Sequence, residues 1–248
     1  PAPVSSPGSA RARRLYGPVT RSLPRSGAPL LVWRLGAPTD CPPYPRHAFV
    51  QGLGDGTLPR AAFVHYLVQD YVFLVHFSRA WSLGVVKSET LAEMKTCAST
   101  VDALVNHEMA LHVKTCAAEG ISEAELFAAT EATENIAYTR YVMDAGLQGD
   151  FLDLMAALMP CVMGYGEIGL SLAAQAETSP YRDWINTYAD PEYQAVCTNA
   201  GAMLDGAVAH RLGAKPQNSP RWAQLQARFT KATALEVGFW QMGLDGAS

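Results

Sequence analysis

Residues 58–84 read "LPRAAFVHYLVQDYVFLVHFSRAWSLG". Large apolar residues recur three or four apart, at Phe63, Tyr66/Leu67, Phe73/Leu74, Phe77 and Trp81, and the series ends at Gly84. That is the period of a helix burying one face. One step of the stripe, three or four residues from both neighbours, is an aspartate, Asp70. The stretch therefore predicts a long helix with a carboxylate on its buried side.

The same period runs outward through the rest of the chain. It predicts helices at about 45–54, 59–87, 89–118, 122–133, 134–146, 150–176, 180–188, 191–212 and 220–244. Ser179-Pro180, Asp190-Pro191 and Ser219-Pro220 each offer a side chain that accepts a free N–H, followed by a proline suited to the first turn. Ser122 and Glu125 read as a capping box, Ser88 as the cap of the helix from 89, and Gly120 as its stop. Strand signals are weak, no hairpin dipeptide lies between alternating segments, and no repeat is evident. The expectation is one all-α domain over 44–248.

Composition agrees with a globular body, at 49% apolar and 17% charged residues. No apolar run reaches the roughly 18–20 residues a membrane span needs. Residues 1–38 hold six arginines and no acid, which leaves 13 basic against 23 acidic side chains in the remainder. A body of that charge is a poor ligand for nucleic acid, where affinity rests on neutralising phosphates. Residues 1–43, rich in proline, serine and arginine, read as a flexible basic arm. The five scattered cysteines form neither a CxxC pair nor a zinc-spaced cluster, so a reducing cytosol is the natural compartment.

A second acid breaks the last stripe. Trp222, Leu225, Phe229 and Ala232 lead to Glu236 before Phe239/Trp240 and Gly243. An ionised carboxylate taken from water costs several kcal/mol, so Asp70 and Glu236 each need a partner or a solvated cavity. Structural hydrogen bonding and catalysis both satisfy that requirement. In "MPCVMGYGEIG", 159–169, Cys161 and Tyr165 share one face a turn apart. Pro160 removes a hydrogen bond and should kink the helix just before the thiol. Gly164, Gly166 and Gly169 allow close approach by another helix. Tyr138, Tyr165 and Tyr188 lie near the same elements, as core aromatics or as a lining.

Taken in order, "YLVQDYVFLVHFSRA", "YTRYVMDAG", "GDFLDLMAALMPCVMGYGEIG", "YRDWINTYAD" and "ALEVGFWQMG" resemble the TenA family of thiaminase II or aminopyrimidine aminohydrolases, over roughly residues 44–243. The resemblance implies a heme-oxygenase-like helical bundle without heme or other cofactor, assembled as a homotetramer. It implies hydrolysis of the substituent on the 5-methylene of a 4-amino-2-methylpyrimidine. On this reading Cys161 corresponds to the nucleophile, Glu236 to the acid/base and Asp70 to the group binding the aminopyrimidine edge. Phe73, Tyr138, Tyr165 and Tyr188 correspond to the aromatic lining. Where many members have tyrosine at Phe73, the stacking surface is kept and a hydroxyl is lost. The aromatic set suggests a small, closed pocket, and with it a preference for the aminomethylpyrimidine over thiamine.

Two other readings keep the helical fold. Glu108 and His112, with His107, sit a turn apart in "VNHEMALHVK", as ligands of a metal-dependent oxidase could. The ferritin-like spacing is Glu-x-x-His and a second pair is missing, so a partly exposed pair or a supporting contact is the simpler expectation. His47, His65, His76 and His210 read as surface or satisfied residues. A non-catalytic pyrimidine-binding or regulatory protein is the third reading, although Cys161 and Glu236 are both present.

Overall fold

The computed structural model describes residues 46–246, which form an all-α bundle. Residues 1–43, expected to be a basic arm, lie outside that range. The helices are α1 (Ala48–Asp55), α2 (Arg60–Lys87), α3 (Leu91–Ala103), α4 (Met109–Ala118), α5 (Glu123–Phe127), α6 (Thr133–Gln148), α7 (Phe151–Leu172), α8 (Arg182–Ala189), α9 (Pro191–Leu212) and α10 (Pro220–Asp245).

The core is built around α7, which packs against α6, α8, α9 and α10 and also touches α2. Nearly every residue from Phe151 to Gly169 is buried. Together with the 3-10 turn that follows it, this helix is long and apolar enough to span a bilayer, contrary to the expectation that no such run exists. Its most apolar stretch is 89% buried inside the protein, so its hydrophobicity faces other helices. Pro160 sits within α7, and the helix continues unbroken to Leu172. Its missing N–H leaves the Ala156 carbonyl without the usual helical donor.

Gly169 shows why a side chain is excluded there. A Cβ at this position would meet the Tyr188 backbone and lie 2.6 Å from Ala189 N, so α8 crosses α7 nearly backbone to backbone. A Cβ at Gly166 would lie 2.7 Å from Cys197 Sγ on α9. These approaches bring Tyr188 against Tyr165 on one side and Tyr193 on the other.

Several helix ends follow the expected chemistry. Asp190 and Ser219 cap α9 and α10 ahead of Pro191 and Pro220, Ser122 and Glu125 form a capping box, and Gly120 has φ +82°. Others differ. Ser88 ends α2 and donates to the Gly84 carbonyl; Thr90 and Glu93 form the capping box that opens α3. Ser179 accepts from Tyr181 N and donates to Leu53 O, so Pro180 precedes α8 instead of entering its first turn. The segment expected as one helix over 89–118 contains a π turn, Leu104–Glu108, between α3 and α4. The helix expected over 122–133 stops at Phe127 because the Gln69 amide donates to Thr130 O and accepts from Ala132 N, holding that loop non-helical.

Candidate active site

Asp70 sits at the middle of α2 and is 2% exposed. Its Oδ2 accepts from Tyr66 Oη at 3.0 Å and from His112 Nε2 at 2.7 Å. Tyr66 has one proton, and giving it to Asp70 means that Tyr165, whose hydroxyl lies 3.0 Å away, donates to Tyr66. His112 Nδ1 lies 3.0 Å from the Glu108 carbonyl, which can only accept. Both ring nitrogens therefore donate, and the ring is an imidazolium. Burial alone would depress its pKa, but the hydrogen bond and charge of Asp70, with Glu108 adding, hold it at about 9.

His112 is 4% exposed, so of the two expectations for Glu108–His112, a partly exposed pair or a supporting contact, the second holds for the histidine. It is a supporting contact to Asp70, with both nitrogens engaged, and is not presented as a metal ligand. Among the described residues no group of three or more His, Cys, Asp or Glu side chains is placed to hold a metal ion. His47 caps α1 and His76 joins the Arg140–Glu131 cluster, as satisfied residues do.

Cys161 is buried on α7 and faces a cleft of about 2060 Å3. Burial pushes its thiol well above the usual range, with the nearby negative charges of Glu236, Asp70 and Glu108 adding to the effect. At rest it carries its proton. On α10, Glu236 is 1% exposed. Burial lifts its carboxyl to about 8; a hydrogen bond from Tyr138 opposes the rise and the charge of Asp70 adds to it. Its Oε2 has no hydrogen-bond partner among the described residues.

Asp70, Phe73, Cys161, Tyr165 and Tyr188 line the cleft together, joined by Glu108 and Phe77. Tyr138 and Glu236 do not line it but lie close to the group. Tyr138 packs on Phe73 at 5.2 Å between ring centres, and Glu236 acts electrostatically on both Cys161 and Tyr165. All seven residues singled out from the sequence thus belong to one neighbourhood drawn from α2, α6, α7, α8 and α10. Tyr66, Trp184 and Trp240 complete its aromatic wall, with Tyr66 stacked on Trp240 at 5.3 Å. The small, closed pocket expected from the tyrosines is not what surrounds Cys161. The cleft opens outward between α3 and α9, past Thr96, Thr100, Val196 and Met203.

Residues 42–246 match the TENA/THI-4/PQQC family, and the chain belongs to it. It is 36% identical over 202 residues to the aminopyrimidine aminohydrolase of Halalkalibacterium halodurans, covering 80% of this chain and 88% of that one. The crystal structure of a protein described as a TenA family transcription regulator, from Silicibacter sp. TM1040, superposes with a TM-score of 0.85 at 57% identity, covering 88% and 97% of the two chains. A Shewanella denitrificans domain of heme oxygenase-like fold matches at a TM-score of 0.52 and 11% identity, over 88% and 89%. The fold is accordingly a single-domain, heme-oxygenase-like helical bundle.

Proposed function

We propose that this chain is an aminopyrimidine aminohydrolase of the thiaminase II type. It would hydrolyse the C–N bond at the 5-methylene of a 4-amino-2-methylpyrimidine and release the 5-hydroxymethyl product for thiamine salvage. The observation that carries this reading is that Cys161 and Asp70 line one aromatic cleft, with the Glu236 carboxyl of a third helix close enough for its charge to act on the thiol. The activity of the Halalkalibacterium relative, as its name gives it, supports the same reaction class.

The ring would lie among Phe73, Tyr165 and Tyr188, with its amino edge toward Asp70. The Tyr66 and His112 bonds fix that carboxylate in orientation, and a wrong ring would leave it unpaired. Cys161 sulfur adds to the electron-poor ring. Glu236 gives a proton to a ring nitrogen and recovers one from the thiol, a relay suited to a carboxyl that titrates near 8. With aromaticity broken, the ring expels the substituent from the methylene carbon as a neutral amine, either from its ammonium form or with a proton delivered by Glu236. Water then adds there, its proton passes back through Glu236, and the sulfur departs, so one hard displacement becomes several easier steps.

A cytoplasmic homotetramer belongs to the same reading. Exposed Leu91, Met94, Val105 and Leu111 along α3, the π turn and α4 support burial against another copy. A regulatory role finds a hint only in the description of the Silicibacter protein, and the acidic body offers little to phosphates.

The decisive assay supplies purified protein with 4-amino-5-aminomethyl-2-methylpyrimidine and, separately, thiamine, and follows the hydroxymethyl product. Formation from at least one of the two is expected, and the open cleft removes the steric reason for preferring the smaller aminomethyl compound. No product from either would reject the assignment.

A further inference from the structure

The proposed chemistry uses Asp70 and Glu236 and leaves a third acid, Glu108, without a task. Glu108 closes the π turn and lines the cleft, half-buried, near enough to Cys161 for its charge to act on the thiol. Its Oε1 accepts from Tyr188 Oη at 3.4 Å. Burial lifts its carboxyl to about 7; the His112 cation opposes this and the Asp70 charge reinforces it. That cation already has Asp70 as its ion-pair partner, and among the described residues no lysine, arginine or histidine forms a salt bridge with Glu108. A carboxylate so placed lacks a positive partner on the cleft side, where a ligand would enter.

The outer walls favour the same sign of ligand. Asp102, Asp183 and Glu192 line the cleft beyond Glu108, where Lys95 is the only lysine or arginine among the described lining residues. Acidic walls around an opening raise the local concentration of cations.

We infer that Glu108, held by Tyr188, is the specificity-determining residue for the 5-substituent: it selects pyrimidines whose methylene carries a cationic group, an alkylammonium or a quaternary heterocycle. This rests on the proposed aminohydrolase reading and extends it from the ring to the leaving group. Asp70 then reads the aminopyrimidine edge, and Glu108 reads the charge on the other side of the scissile bond. The pairing is a recognition contact that desolvates together with the substrate, and charge-assisted hydrogen bonds are the strong ones in such sites. The open cleft imposes little size limit on the cation.

The test measures KM for the aminomethylpyrimidine, a cation, and the inhibition constant of the neutral hydroxymethyl product, in the wild-type chain and in Glu108→Gln. The amide keeps an acceptor for Tyr188 and loses the charge. The expected result is a KM raised about tenfold or more, with the inhibition constant of the neutral product changed less than about twofold and the melting temperature retained. Equal changes in both constants, or in neither, would overturn the inference. Should the variant not fold, the wild-type chain still decides: it must bind the cationic pyrimidine at least about tenfold more tightly than the neutral one, and equal affinity rejects the role. Failure to bind either pyrimidine would sink the aminohydrolase reading itself, whereas binding without discrimination sinks only the role of Glu108.

Discussion

Replacing His112 by glutamine would remove a buried positive charge while keeping an amide able to donate to Asp70. The imidazole titrates at about 9 in the folded chain against an ordinary 6.5. A group whose folded pKa is raised contributes stability that is fully present below its unfolded value and is lost as pH climbs through the folded one. For His112 that window runs from about 6.5 to 9. At about 1.4 kcal/mol per pH unit the contribution is roughly 3 kcal/mol, a large share of the 5–15 kcal/mol typical of a whole domain. Glu236 and Glu108 also carry raised pKa values and lose stability with rising pH, but both remain in the variant. The difference between the two proteins reports mainly the histidine, although losing its charge also lets the Glu108 pKa rise further, which works against the narrowing. Urea unfolding at fixed protein concentration, from pH 6 to pH 10, should show a stability gap that narrows by roughly 3 kcal/mol across the range. A gap that stays constant with pH would mean that His112 is neutral and that the Asp70 pair is not ionic.

Cys161→Ser should lower turnover of the aminomethylpyrimidine by at least about a hundredfold, while the melting temperature stays close to that of the parent. Near-normal turnover would reject the covalent route. Gly169→Ala should destabilise by roughly 1–3 kcal/mol, because its Cβ meets α8 backbone that cannot swing aside as a side chain could. It should also raise KM by displacing Tyr188, and an unchanged melting temperature would argue against so close a crossing.

Helical phase was enough to place Asp70, Cys161 and Glu236 on buried faces, because a 3.6-residue period converts spacing directly into direction. It could not show that the three residues gather beside one cleft; that depends on how α2, α7 and α10 cross. Tyr66 lay on the same stripe as Asp70, and its apolar ring concealed the hydroxyl that bridges Asp70 to Tyr165. Thr90 with Glu93 three residues on carries a capping-box signature that favours it over Ser88. The loop after α5 is rich in alanine, glutamate and threonine, and only the distant Gln69 side chain explains why it is not helical. For His112 the sequence left a partly exposed pair and a supporting contact both open, because a turn of unequal size within 89–118 shifts the helical phase after it.

That unequal turn has a wider consequence. Between Leu104 and Glu108 the backbone holds one residue beyond the regular count, with Met109 N reaching the Leu104 carbonyl five positions back. An extra residue rotates everything after it by about 100° relative to a plain continuation. Deleting one would yield a smoother rod with better-formed bonds, and would swing the imidazolium away from Asp70. Smooth winding and a buried counter-ion are alternatives at this point of the chain, and the protein has settled on the counter-ion.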